Sequence, residues 1–334
     1  MTSPILAYAQ LSPRAPLEAI ELPHPGPPAG RDVEILVEHC SVCHSDVHLL
    51  DGDWGEVARP LVPGHEIVGR VVARGPDAAH AVGDLVGVGW QSGACGRCVA
   101  CASGREHLCT GGKGRTCVGR QGGFARSVQV DSRFAFALPP ALDPATAAPL
   151  LCAGLTVFSP LERLGAGAGV RVGVVGLGGL GHLAVRFAAA LGAEVIAFDP
   201  DASKGGLARS LGARELVDAR GALPPGAVDL LLVTTHASLD WDAWMRVLAL
   251  EGTLCLIGVP GEALRVGVDP LLDEQKRITG SVIGSRATMQ RMLAFAAERG
   301  IAPITERMPL ARANDAVASV REGRARMRVV LDVA

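Results

Sequence analysis

Four cysteines spaced Cys95-x2-Cys98-x2-Cys101-x7-Cys109, all within fifteen residues, constrain this chain more than any other feature. Thiolates hold zinc tetrahedrally at about 2.3 Å, and short loops between ligands set that geometry. The residues from Gly93 to Gly104 are mostly small, so the backbone can wrap tightly around an ion. Two disulfides or four unrelated thiols are the plainer alternatives, and the dense spacing argues against both. Four ligands close the coordination shell, which leaves no position for a substrate. Such a lobe holds a fold together and does no chemistry, so activity has to come from elsewhere.

A length of 334 residues suits two domains, and 49 % hydrophobic residues is too many for a disordered chain. The net charge of −2, with no basic block or stripe, removes the electrostatic case for nucleic acid. Residues Met1 to Ala7 lack the basic start and apolar stretch of a secretory signal. No run of about 18 apolar residues offers a membrane span. The expectation is a cytoplasmic protein in a reducing compartment, where clustered thiols serve metals rather than bridges.

The texture changes along the chain. Short β-prone runs (Asp32 to Cys40, Ile67 to Ala73, Asp84 to Val88) fill the first third, bounded by Pro and Gly clusters. From about Gly154, apolar strands alternate with amphipathic helices. Strands are expected at Val170 to Val175, Glu194 to Asp199, Val228 to Thr235, Thr253 to Gly258 and Ile278 to Gly284. Helices are expected at Leu180 to Leu191, Trp241 to Leu250 and Thr288 to Arg299. The tail offers a helix around Asn314 to Arg321 and a last strand, Met327 to Val333.

Gly176-Leu177-Gly178-Gly179-Leu180-Gly181 follows one of these strands and opens a helix, the context in which G-x-G-x-x-G has meaning. The glycines let a pyrophosphate approach the positive helix N-terminus. The next strand ends at Asp199, 18 residues after Gly181, near the spacing for a carboxylate that accepts ribose hydroxyls. An acid there disfavours a 2′-phosphate, so NAD is favoured over NADP, with Lys204 in reach of the same ribose. The alternative is that Asp199 merely begins a turn with Pro200.

Further metal-ligand residue types occur at Cys43, His44, His65, Glu66 and Cys152. Two cysteines and one histidine would leave a fourth position open, as a catalytic zinc requires. Spacing does not show that residues so far apart converge. On spacing alone each is equally a core cysteine or a satisfied histidine.

These segments together resemble the zinc-dependent medium-chain alcohol dehydrogenases, especially their yeast-type and cinnamyl-alcohol-dehydrogenase-like branches. The matching stretches run end to end: CSVCHSDVH at 40–48, DGDWG at 51–55, PGHEIVGRV at 63–71, the four-cysteine lobe, PLLCAGLTVF at 149–158, GLGGLGH at 176–182 and RVVLD at 328–332. The resemblance implies a GroES-like β-rich catalytic domain from residues 1–153 and 290–334, and a Rossmann doubly wound parallel sheet from 154–289. It implies two zinc ions per chain. Cys43, His65 and Cys152 would hold the catalytic one, with Glu66 as a transient ligand and Asp46 orienting the histidine. Cys95, Cys98, Cys101 and Cys109 would hold the structural one.

Ser45 and His48 match a proton relay, while His44 matches a position beside the cofactor's pyrophosphate and Arg328 a cofactor-binding position. An exposed surface histidine is the plain alternative for His48. Trp54 and Trp90 align with residues that narrow the alcohol pocket toward primary alcohols and aldehydes, unless they are packing residues. No role is implied for Cys40, Cys117 or Cys255. Met327 departs from the family, where a glycine often precedes the final arginine. Relatives form homodimers or homotetramers. A polyol or amino-alcohol dehydrogenase and an NADPH-dependent aldehyde reductase share the same motifs.

Overall fold

The computed structural model describes residues 3–333. The chain divides into two compact units, Met1–Cys152 with Ser285–Ala334, and Ala153–Gly284.

A seven-stranded sheet organises the first unit. Its strands lie in the order Thr305–Pro309, Arg328–Asp332, Asp32–Val42, Glu66–Arg74, Leu85–Val88 and Ala135–Ala137, with Ser127–Asp131 also pairing Asp32–Val42. Val33, Ile35 and Val37 are fully buried at alternate positions of the long strand, the period-two signature of one face turned to a core. Toward its end Cys40, Ser41 and Val42 are all buried. There Val42 lies opposite Val329 and Ser41 opposite Glu66. This register brings the end of one strand and the beginnings of two others to the same edge, carrying Cys43, Glu66 and Arg328 with them.

The second unit is a six-stranded parallel sheet in the order Glu215–Asp218, Glu194–Asp199, Arg171–Val175, Val228–Val233, Leu248–Leu256 and Arg277–Gly280. Numbered along the chain this is 3-2-1-4-5-6, the doubly wound Rossmann arrangement. Val172, Val174, Leu231 and Leu232 are wholly inaccessible to solvent, as strands covered on both faces must be.

Two boundaries differ from expectation. The helix expected through Leu250 ends at Val247, because Leu248 pairs with Val228 and starts the strand Leu248–Leu256. Sheet pairing there overrides helical periodicity. The strand expected to reach Gly284 stops at Gly280, opposite Leu256, where its neighbour also ends and the ladder has no partner left. The hairpin of Ile5–Gln10 with Leu17–Leu22 and the helix His44–Asp51 were not expected; neither carries a strong period in so few residues. No single helix among the described residues is long and apolar enough to cross a membrane.

Candidate active site

Three local devices deliver the dispersed ligand types to one place. Cys43 caps the helix His44–Asp51, and its backbone N–H donates to Asp46 Oδ2 at 3.0 Å. His65 follows Gly64, whose φ of +98° is open to glycine alone in practice; a Cβ there would lie 2.6 Å from Phe124 Cδ1 and 2.7 Å from Cys40 Sγ. Cys152 ends the turn Ala148–Leu151, which presses so closely on the sheet that a Cβ at Gly89 would stand 2.3 Å from Leu151 O.

The ligand atoms of Cys43, His65, Glu66 and Cys152 lie within 4.8 Å of one another, and all four residues are buried. His65 Nδ1 is 2.9 Å from Asp46 Oδ1, and the same carboxylate accepts from Gly64 N at 2.9 Å. An ionised carboxylate only accepts, so Nδ1 carries the proton and Nε2 the lone pair. Nε2 is buried and has no hydrogen-bond partner among the described residues. A free imidazole lone pair within a buried cluster of two thiols is costly unless a cation takes it, so these residues fit a thiophilic metal such as zinc.

The electrostatics agree. The hydrogen bond between Cys43 and Cys152 holds Cys43 well below the usual thiol range and pushes Cys152 well above it, so the pair keeps one proton between them. Burial opposes charge on His65, yet the Asp46 carboxylate and Cys152 outweigh it and raise the ring's pKa, so a metal taking Nε2 would displace a proton there. Burial pushes Glu66 up to about 7 against the pull of the Arg328 guanidinium. Glu66 Oε2 accepts from Arg328 Nη2, both side chains being buried, while Glu66 Oε1 has no partner.

Rings continue outward from this cluster. Trp90 meets His65 edge-on at 4.8 Å and Trp54 at 5.9 Å; Trp54 reaches His48 at 4.8 Å, and His48 reaches His44 at 5.1 Å. Ser45 and His48, three residues apart on one helix, share a face. His48 Nδ1 lies 2.7 Å from Asp53 Oδ2. Asp53 falls within the matching DGDWG stretch, yet its role was missed. A carboxylate five residues from that histidine, just past a helix-ending glycine, was the available signal.

In the four-cysteine lobe, Cys95 Sγ lies 3.9 Å from Cys101 Sγ, and Cys98 Sγ 3.9 Å from Cys109 Sγ. A disulfide needs about 2.05 Å. A tetrahedron with sulfur at about 2.3 Å from its centre has edges of about 3.8 Å. These four thiols therefore fit a closed metal site and do not form bridges; all nine cysteines are free.

In the second unit, Gly176 has φ +90°, and a Cβ at Gly181 would fall 1.7 Å from Gly176 O, so the turn closes only with glycine there. A Cβ at Gly178 would meet nothing within 4 Å, which leaves open space beside the start of the helix Gly181–Ala190. Gly179 and Leu180 complete the turn, partly exposed. Asp199 is only 4 % exposed, and its carboxylate is already engaged by Leu177 N at 2.6 Å, Asp201 N at 3.0 Å and Lys204 Nζ at 3.0 Å. The acid thus braces the glycine turn and is neutralised by Lys204, beyond the ribose role expected of it.

Residues 29–140 match the family model of the alcohol dehydrogenase GroES-like domain, and residues 179–298 that of the zinc-binding dehydrogenases. The aldehyde reductase AdhA of Synechocystis sp. is 41 % identical over 332 residues, 98 % of each chain. The chain belongs to the zinc-type medium-chain alcohol and aldehyde dehydrogenases. Among solved structures, the cinnamyl alcohol dehydrogenase SbCAD4 of Sorghum bicolor matches this dehydrogenase with a TM-score of 0.93 at 31 % identity, over 98 % of this chain and 97 % of that one. The CAD of Helicobacter pylori, complexed with NADP(H), matches with a TM-score of 0.90 at 28 % identity over 99 % of both chains. This dehydrogenase therefore combines a GroES-like unit with a Rossmann unit.

Proposed function

We propose that this dehydrogenase moves a hydride between a primary alcohol or aldehyde and a nicotinamide dinucleotide, at a zinc ion held by Cys43, His65 and Cys152. The observation that carries this reading is the buried, partnerless Nε2 of His65 among two thiols. Zinc bound there supplies a Lewis acid that polarises the substrate oxygen and eases loss of its proton. Glu66, with one buried oxygen unpartnered, is the reserve ligand, and Arg328 steadies its other oxygen.

The remaining roles fall to the chain's own side chains. The Ser45 hydroxyl would accept the alcohol proton while giving up its own toward His48, three residues along the same helix. Asp53 accepts from His48 Nδ1, which leaves Nε2 as the receiving atom. With about a quarter of its side chain exposed (24 %), His48 returns the proton to water. Trp54 and Trp90 narrow the pocket against branched substrates. Cys95, Cys98, Cys101 and Cys109 hold a second, structural zinc.

The turn Gly176 to Gly181 receives the pyrophosphate at the N-terminus of the helix Gly181–Ala190. NAD stands as the first reading on the place of Asp199 at the end of its strand, where a carboxylate disfavours a 2′-phosphate unless a cation offsets its charge. The Lys204 ammonium on that carboxylate favours a second reading, an NADPH-dependent aldehyde reductase, which the NADP(H) complex of the Helicobacter pylori relative also suits. The working unit is a homodimer or homotetramer, to be settled by sedimentation.

One experiment tests the whole. Primary and secondary alcohols and aldehydes are assayed with NAD and NADP while zinc is counted on the same preparation. Two zinc ions per chain, primary substrates ahead of secondary, and higher kcat/KM with NAD are expected. Full activity in zinc-free protein would sink the mechanism, and a clear NADP preference would select the second reading.

A further inference from the structure

Cys117 has a backbone φ of +60° and no solvent exposure. A left-handed conformation costs a residue with a Cβ about 1–2 kcal/mol, which is why such turns usually hold glycine. The turn is pinned at its start, where Thr116 N donates to Trp90 O at 2.8 Å and Thr116 Oγ1 to Gly89 O at 2.6 Å. It closes weakly through Val118 N on Arg115 O at 3.4 Å. What the strained backbone achieves is to send the Cys117 side chain inward, with Sγ 3.9 Å from Asp46 Oδ1.

Asp46 is a wholly buried carboxylate whose ion-pair partner, among the described residues, is the His65 ring rather than an arginine or lysine. A buried carboxylate needs a donor for each of its lone pairs, so every donor counts. Its Oδ2 accepts from Cys43 N, and its Oδ1 from Gly64 N, His65 Nδ1 and the Cys117 thiol. Asp46, His65 and Cys117 close to within 4.8 Å, yet the 2.9 Å between Nδ1 and Oδ1 is a hydrogen bond with no room for an ion.

We propose that Cys117 is a positioning residue for the reaction: its thiol donates to Asp46 Oδ1 and so fixes the carboxylate that aims the His65 ring, and the strained turn exists to deliver that donor. The inference rests on the catalytic-zinc reading above. Groups that orient a metal-bound histidine typically set metal affinity by about 10- to 100-fold, and a weak S–H donor belongs at or below the low end.

The test compares Cys117→Gly, Cys117→Ala and Cys117→Ser in the zinc-loaded enzyme, by zinc release to a chelating dye and by thermal melting. Glycine removes the backbone strain, so Cys117→Gly should melt at or above the parent temperature. It should nevertheless release its catalytic zinc about three- to tenfold more readily, as should Cys117→Ala, while the hydroxyl of Cys117→Ser restores retention to within about twofold. A packing role predicts the reverse pairing, with the glycine variant destabilised and zinc retention unchanged. Parental retention in the glycine and alanine variants, or no rescue by serine, overturns the proposal. A parent that carries zinc only at Cys95, Cys98, Cys101 and Cys109 instead overturns the proposed function and takes this inference with it.

Discussion

The two cysteine clusters meet one coordination problem from opposite directions. Cys95, Cys98, Cys101 and Cys109 come from a single short loop, and only Cys109 is buried. Cys43, His65 and Cys152 come from a helix cap, a glycine turn and a segment more than a hundred residues from the first, and all are buried. The loop supplies four sulfurs and closes. The assembled site supplies two sulfurs and one nitrogen, with a spare carboxylate nearby. A site built by local spacing satisfies its metal completely and is fit to hold structure together. A site built by the fold can be left one ligand short, which is what chemistry requires.

That contrast can be broken by substitution, in order of effect on turnover. Cys152→Ser should lower kcat/KM by at least about 10³-fold, the several kcal/mol a Lewis acid supplies, while the folded protein keeps one zinc per chain by metal analysis. Loss of both ions together would show that the clusters are not independent. Ser45→Ala should reduce turnover by about 10²-fold with zinc content unchanged, and full activity would remove Ser45 from the relay.

Cys109→Ser should leave turnover per folded molecule within about twofold but lower the melting temperature and folding yield. A selective loss of turnover in a stable Cys109→Ser protein would erase the distinction between the two sites. Asp229→Asn, in the parallel sheet, serves as the control. Arg171 hydrogen-bonds this acid and holds it below the usual carboxylate range. Its stabilisation is therefore present above about pH 4 and fades as pH falls through the depressed value. Both partners are 38 % exposed, so solvent screening keeps the cost below about 1 kcal/mol. The difference in melting temperature between parent and variant should be larger at pH 7 than at pH 3, with both zinc ions retained at pH 7.

The same contrast explains what could be read in advance. Periodicity marked the strands Glu194–Asp199 and Val228–Val233 because short continuous apolar runs suit strands covered on both faces. It overran the helix at Trp241, since pairing of Leu248 with Val228 is a fact of the sheet and leaves no local trace. Asp199 was legible as an acid at the right distance. That it is spent on Leu177 N and Lys204 depends on how the glycine turn folds back over it. Likewise Arg328 and Glu66 are separated by 262 positions, and only the three-strand register makes them a pair.

By itself the chain determined the four-cysteine loop, the glycine turn and the alternation of the second unit, because short spacings and hydrophobic periods act through the backbone between near neighbours. Tertiary structure alone decided that Cys43, His65 and Cys152 converge and that an otherwise unassigned thiol, Cys117, reaches Asp46. Those contacts depend on strand register and on glycines admitting close approach, and neither is fixed until distant segments pack.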